Sequence, residues 1–168
     1  MSGSLEHVIA ATTQWLVTAF PTTGGVHAQA LAQQQARQAV TVAAWLRYPT
    51  KTDAAMLDLL APSGSWWLDD MPFDGELEPW RTWVDDVVAS WAAALLIDRE
   101  LAVRACEAIA RSEHAGGLPM QFRRLTHPDH IDSAAAALLR HPDLLASLAA
   151  RDRAGLEVTL GGDRSPTG

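Results

Sequence analysis

Apolar side chains recur at three- and four-residue steps along most of the chain, and each such run reads as one buried stripe of an amphipathic helix. Leu5, Val8, Ile9, Thr12, Trp15, Leu16 and Ala19 form the first stripe, closed by Pro21 and the Gly24-Gly25 pair. Val26 to Tyr48 is rich in alanine and glutamine, carries Leu31, Val42, Trp45 and Leu46 as its larger apolar residues, and is predicted to end before Pro49. Thr52 or Asp53 can cap a short third helix bearing Met56, Leu57, Leu59 and Leu60, which Pro62 and Gly64 terminate.

The fourth stripe has the clearest spacing. Trp80, Trp83, Val84, Val87, Val88, Trp91 and Leu95 repeat at helical intervals behind Pro79, which suits a first helical position. Asp98 begins a new polar turn, so a break is expected there, with a further helix from Arg99 to Glu113 ended by Gly116-Gly117. Thr126-His-Pro-Asp reads as another start, with Pro128 just inside and Asp129 as the acid of a capping box. His141-Pro142-Asp143 repeats the device before Leu144, Leu145 and Leu148. Leu156 to Leu160 alternates apolar and polar residues and reads as a short strand or extended segment, and the tail beyond it as disordered. Six or seven helices with short Gly/Pro joints hide their stripes against one another. The expectation is therefore an all-α, irregular bundle forming a single domain over residues 1–160, with a disordered tail over 161–168.

Composition adds a location and an asymmetry. A single cysteine, Cys106, cannot close an internal disulfide, the N-terminus lacks the cationic start of an export signal, and no apolar run spans a bilayer. Together these point to the cytoplasm. Abundant Ala, Arg and Trp with one lysine point to a bacterial or phage source with a G/C-rich genome. The net charge of −7 is unevenly spread. Between Asp53 and Asp98 ten carboxylates meet one cation, Arg81, whereas from Arg99 to Arg153 eight arginines meet seven carboxylates. A phosphate backbone demands a basic surface, so direct nucleic-acid binding is not expected, and neither is a membrane partner.

The stretch from Trp66 to Glu78 combines apolar area with charge. Trp66, Trp67 and Phe73 can anchor an interface while Asp69, Asp70, Asp74, Glu76 and Glu78 steer a basic partner; alternatively the aromatics turn inward and plug the bundle. Asp69, Asp70 and Asp74 also form a DDxxxD string whose spacing resembles the magnesium-holding motif of terpene synthases. That resemblance covers six residues in a Pro/Gly-bearing stretch, with no second metal motif in a chain too short for that fold.

His127, Asp129, His130 and Asp132 are the densest set of potential metal ligands, a composition that suits zinc, iron or manganese. Their place at a helix start offers capping as the competing explanation. Arg124 and His130 have a loose Arg-x5-His spacing that resembles the pair in helical ribonucleases of the HEPN kind, though Pro128 interrupts the helix that normally presents it. No hydrolase elbow, phosphate loop, Cys-x-x-Cys or His-Glu-x-x-His occurs, so no catalytic residue and no cofactor is assigned. The tryptophans Trp15, Trp45, Trp80, Trp83 and Trp91 could line an apolar ligand pocket, although core packing explains the same spacing.

Three readings follow. The first is a non-enzymatic interaction module of the adaptor, inhibitor or immunity type, engaging a basic protein surface through residues 66–78. The second is a small helical metal-dependent enzyme or metal-binding protein centred on His127 to Asp132. The third is a sensor of an apolar small molecule.

Overall fold

The computed structural model describes residues 3–60, 83–115 and 122–161. Among them the chain is all-α, with nine α-helices, short 3-10 turns and no strand. In chain order the helices are α1 (Gly3–Ala19), α2 (Gly25–Arg47), α3 (Lys51–Leu60), α4 (Asp86–Ile97), α5 (Arg99–Ile109), α6 (Arg123–Thr126), α7 (His130–Ala135), α8 (Pro142–Ala150) and α9 (Arg153–Gly161), with the 3-10 turn at Glu113–Ala115 between α5 and α6. None of the described helices is long and apolar enough to cross a membrane.

Helix α4 is the axis of the molecule because its sequence is apolar all round, which forces a helix inward on every side. Every residue from Val88 to Leu96 is buried. It packs chiefly on α2 and α8, and α1 covers the other flank of α2. Many of the buried residues of both helices are alanine: Ala32, Ala36, Ala39 and Ala43 on α2, and Ala89, Ala92 and Ala93 on α4. Side chains this short let two helix backbones approach closely, so the larger residues Val8, Ile9, Trp15, Leu16, Leu95, Leu101 and Leu125 fill the space around them.

Caps set the joints. Asp98 ends α4 and begins α5: its N–H donates to Ala94 O, and its carboxylate accepts from Leu101 N at 3.0 Å. The break expected at Asp98 is therefore present. At α3, Thr50 caps rather than Thr52 or Asp53; its hydroxyl accepts from Asp53 N while Asp53 accepts from Thr50 N, both at 3.0 Å. At α7, Asp129 is the cap itself and Asp132 the returning acid, one register along from the sequence expectation. His141 precedes Pro142 at the first position of α8, as expected. Gly25 opens α2 with φ +82°, a conformation an L side chain resists, so the Gly24-Gly25 pair is a turn of backbone necessity.

Three elements differ from the sequence reading. The fourth stripe does not carry its helix back to Pro79 among the described residues: α4 starts at Asp86, because the Asp85 carboxylate accepts from Val88 N at 3.1 Å and stops the helix there. Leu156 to Leu160 is not extended but lies within α9. Leu156 is buried and Leu160, four residues on, packs against the core, while Val158 between them is 73% exposed. That is helical spacing, which five alternating residues can satisfy as well as a strand can. Lastly, the six or seven helices become nine because the C-terminal half is cut into short pieces by Asp129, His141 and the turn around Asp152. Of the tail expected over 161–168, Gly161 is instead the last residue of α9, and residues 162–168 lie outside the described residues.

The capping carboxylates predict an acid response. Burial alone would raise Asp98, but the bonds it accepts from Leu101 N and Arg153 outweigh it and leave the carboxyl below its ordinary 3.8. Asp53 is lowered by its bonds from Thr50, and Asp129 chiefly by its bond from the Asp132 N–H. Groups lowered on folding stabilise the folded form above the unfolded value and lose that contribution as pH falls through the folded one. The urea midpoint is expected to fall between about pH 5 and pH 2, and Asp98→Asn to flatten part of that fall. An acid limb of unchanged steepness in the variant would contradict this account.

Candidate functional site

The residues that flank the acidic, aromatic stretch are held by a set of tertiary bonds. Tyr48, at the exit of α2, donates its hydroxyl to Asp85, the cap of α4. Burial, followed by the Asp85 charge, pushes the Tyr48 phenol well above its ordinary 10, so it stays protonated and remains a donor. Asp85 N donates to Thr12 on α1 at 3.4 Å, and the Trp83 ring stacks on His7 with centroids 5.1 Å apart. On the other side Lys51 N, at the start of α3, donates to Glu113 in the 3-10 turn at 3.0 Å. His114 Nε2 lies 2.5 Å from Tyr48 O, and its ring stacks on Trp45 at 5.6 Å. The departure into α3 and the return at Trp83 to Asp85 are thus tied to one another through Tyr48.

Trp66, Trp67, Asp69, Asp70, Phe73, Asp74, Glu76 and Glu78 lie between those ties, outside the described residues, as does the DDxxxD string they contain. Immediately before them α3 exposes two large apolar side chains, Met56 at 49% and Leu59 at 85%.

The second candidate group is drawn together, but as a structural joint. Asp129 accepts from Asp132 N at 2.7 Å and Asp132 from Asp129 N at 3.2 Å, which spends one oxygen of each on the box. The other Asp132 oxygen takes Arg124 Nη1, and Arg123 stands 3.7 Å away. His127 and His130 are exposed, with His127 Nδ1 3.0 Å from the neighbouring Thr126 hydroxyl. Among the described residues no three His, Cys, Asp or Glu side chains could hold a metal ion together. Arg124 and His130 stand on separate helices, and Arg124 is engaged by Asp132.

Behind that joint lies a buried polar hub that the sequence did not announce. Gln35, on the alanine face of α2, donates to Asp132 O at 2.7 Å and accepts from Arg140 Nε at 2.6 Å. Arg140 also donates to Leu96 O at 3.3 Å and to Arg124 O. Burial pulls its guanidinium below the ordinary value, and the Asp132 charge opposes that. Three chain segments, at Gln35, Leu96 and Arg124, meet on one guanidinium. The only local signal is a glutamine at a position that helical spacing assigns to the core.

The tryptophans divide. Trp15 and Trp91 are core residues; Trp91 Nε1 donates to Asp152 Oδ2 at 2.8 Å, whereas Trp15 Nε1 has no hydrogen-bond partner. Trp80 lies outside the described residues. Trp45 alone among the described tryptophans lines a cleft, of about 520 Å³, between the end of α2, α5 and the end of α9. Leu46, Pro49, Ala108, Ile109 and Leu160 share its walls, while Arg104, Glu107, Arg111 and Ser112 add polar groups. Sequence reasoning missed this cleft because three helices distant in the chain build it.

Comparison with protein-family models, with curated proteins and with solved structures gives no match to this chain.

Proposed function

We propose that the protein is a non-enzymatic helical interaction module, of the adaptor, inhibitor or immunity type, acting in the cytoplasm and engaging a basic surface of another protein through residues 66–78. The observation that carries this reading is the pair of anchored margins, with Tyr48 bound to Asp85 and Trp83 stacked on His7. Residues 61–82 hold five carboxylates against Arg81, a net −4 of the chain's −7, and α3, which precedes them in the chain, exposes Met56 and Leu59. Anchored margins lower the ordering cost of presenting such a stretch, and clustered charge raises the encounter rate with a cationic surface.

In this reading Trp66, Trp67 and Phe73 govern dissociation, and Asp69, Asp70, Asp74, Glu76 and Glu78 govern association. The test is quantitative affinity capture from extracts of the source organism at low and high salt, comparing the wild type with a variant in which Asp69, Asp70 and Asp74 are lysine. The variant is expected to lose about tenfold or more of its captured partner at low salt, with its melting temperature retained. Equal capture by both proteins at both salt concentrations would remove the proposal.

A further inference from the structure

The cleft between α2, α5 and α9 is lined on its apolar side by Trp45, Leu46, Pro49, Ile109 and Leu160, and its volume of about 520 Å³ lies in the range that takes a drug-sized molecule. Trp45 is half-buried, its ring fixed by the stack on His114 and by an edge contact with Phe122 at 6.2 Å. A wall already held by two other rings loses little freedom when a ligand lies against it.

The charged residues of the lining do not balance. Arg104 and Arg111 stand against one carboxylate, Glu107, an excess of one positive charge in a chain whose net charge is −7. Neither arginine has to be without a partner to receive an anion. Arg104 spends Nη1 and Nη2 on a single oxygen of Glu157, both at 3.3 Å, in a pair whose side chains are 45% and 40% exposed. A solvated pair of this kind contributes little to stability and is readily exchanged for another acid. Glu157 keeps a cation when Arg104 turns away, since Arg153 stands 3.8 Å from its other oxygen. The carbonyls at the end of α5, which would oppose an anion, are engaged: Cys106 O, Ala108 O and Ile109 O accept from Ala110 N, Arg111 N and Ser112 N.

We infer that this cleft binds a small amphipathic anion, an aromatic body carrying one acidic group. The body lies against Trp45 and the aliphatic walls, and the acid meets the Arg104 guanidinium, whose fork suits a carboxylate or sulfonate. Arg111 offsets the Glu107 charge and keeps the lining cationic.

The test titrates the full chain with two fluorescent dyes of one ring system, anionic anilinonaphthalene sulfonate and neutral N-phenylnaphthylamine. The sulfonate is expected to bind saturably, at one per chain, about tenfold tighter than its neutral counterpart. Arg104→Gln, at an exposed position, is expected to weaken the sulfonate about threefold or more and to leave the neutral dye unchanged. Glu157→Gln breaks the same ion pair but keeps the guanidinium, so it is expected to hold the sulfonate at least as tightly as the wild type. Thr159→Phe, at an exposed lining position, fills the cleft and is expected to weaken both dyes. Equal affinity for the two dyes, non-saturable uptake, or unchanged binding in Arg104→Gln or in Thr159→Phe would each overturn the assignment. So would an equal loss of sulfonate binding in Arg104→Gln and Glu157→Gln, which would make the pair a structural tie rather than an anion receiver.

Discussion

Replacing Arg140 by methionine is expected to lower the unfolding free energy by about 2–4 kcal/mol, because it takes a charged donor away from three carbonyl oxygens. Arg140 is the one side chain that touches α2 through Gln35, the last turn of α4 through Leu96 O, and α6 through Arg124 O. Methionine keeps much of the aliphatic volume but leaves the Gln35 Oε1 and Leu96 carbonyls without these donors in a half-buried place. Each such orphan costs about 1–3 kcal/mol. Gln35→Leu in the same background removes one orphan, so the double variant is expected to be more stable than the sum of the single changes implies. Urea unfolding of the four proteins measures this coupling. A loss under about 1 kcal/mol for Arg140→Met, or strict additivity, would show that the hub is not what joins these helices.

A similar loss, about 3–5 kcal/mol, is expected for Trp91→Ala, from the packing it removes at the centre of α4. Trp91 also fastens the α8–α9 corner, where its indole donates to Asp152 Oδ2 at 2.8 Å and to Asp152 O at 3.0 Å. Ser90 reinforces the same corner by accepting from Asp152 N at 3.0 Å. Phenylalanine separates the two contributions, because it keeps most of the buried area and loses the donor. Trp15 offers the internal control: it is equally buried but its Nε1 has no partner. Trp15→Phe is therefore expected to cost less than Trp91→Phe, by about 1 kcal/mol. Equal costs for the two phenylalanine variants would remove the hydrogen bond from the explanation.

What could be read from the sequence was what the chain decides locally. Asp98 announced its joint because a carboxylate before Arg-Glu-Leu satisfies the free N–H groups of the helix that follows. His141-Pro142 announced α8 for a similar reason, since proline lacks an N–H that the first turn could not have used. Near Asp129 the local rule was right and its register wrong: two acids three apart can be read as cap and box in more than one frame, and the bond from Asp132 N selects Asp129. The stripe starting at Trp80 was extended too far because spacing records which residues are apolar and says nothing of the Asp85 carboxylate that caps Val88 N and starts α4. The hub and the cleft were invisible for one reason. Gln35 meets Asp132 and Arg140 across 97 and 105 positions, and the cleft is assembled from α2, α5 and α9, so no window of sequence contains either. The acidic stretch itself stood out by composition alone, and its residues lie outside the described structure.

The clasp of Tyr48 on Asp85 has a consequence for how the chain can change over generations. Since the frame closes on itself at that bond, the entropy of bringing the ends of the enclosed span together rises by only about 0.6 kcal/mol for each doubling of its length. On that closure term alone, a longer or shorter span changes little for the scaffold. Descendants of this sequence can differ in the length of that span while the closure between Tyr48 and Asp85 is kept.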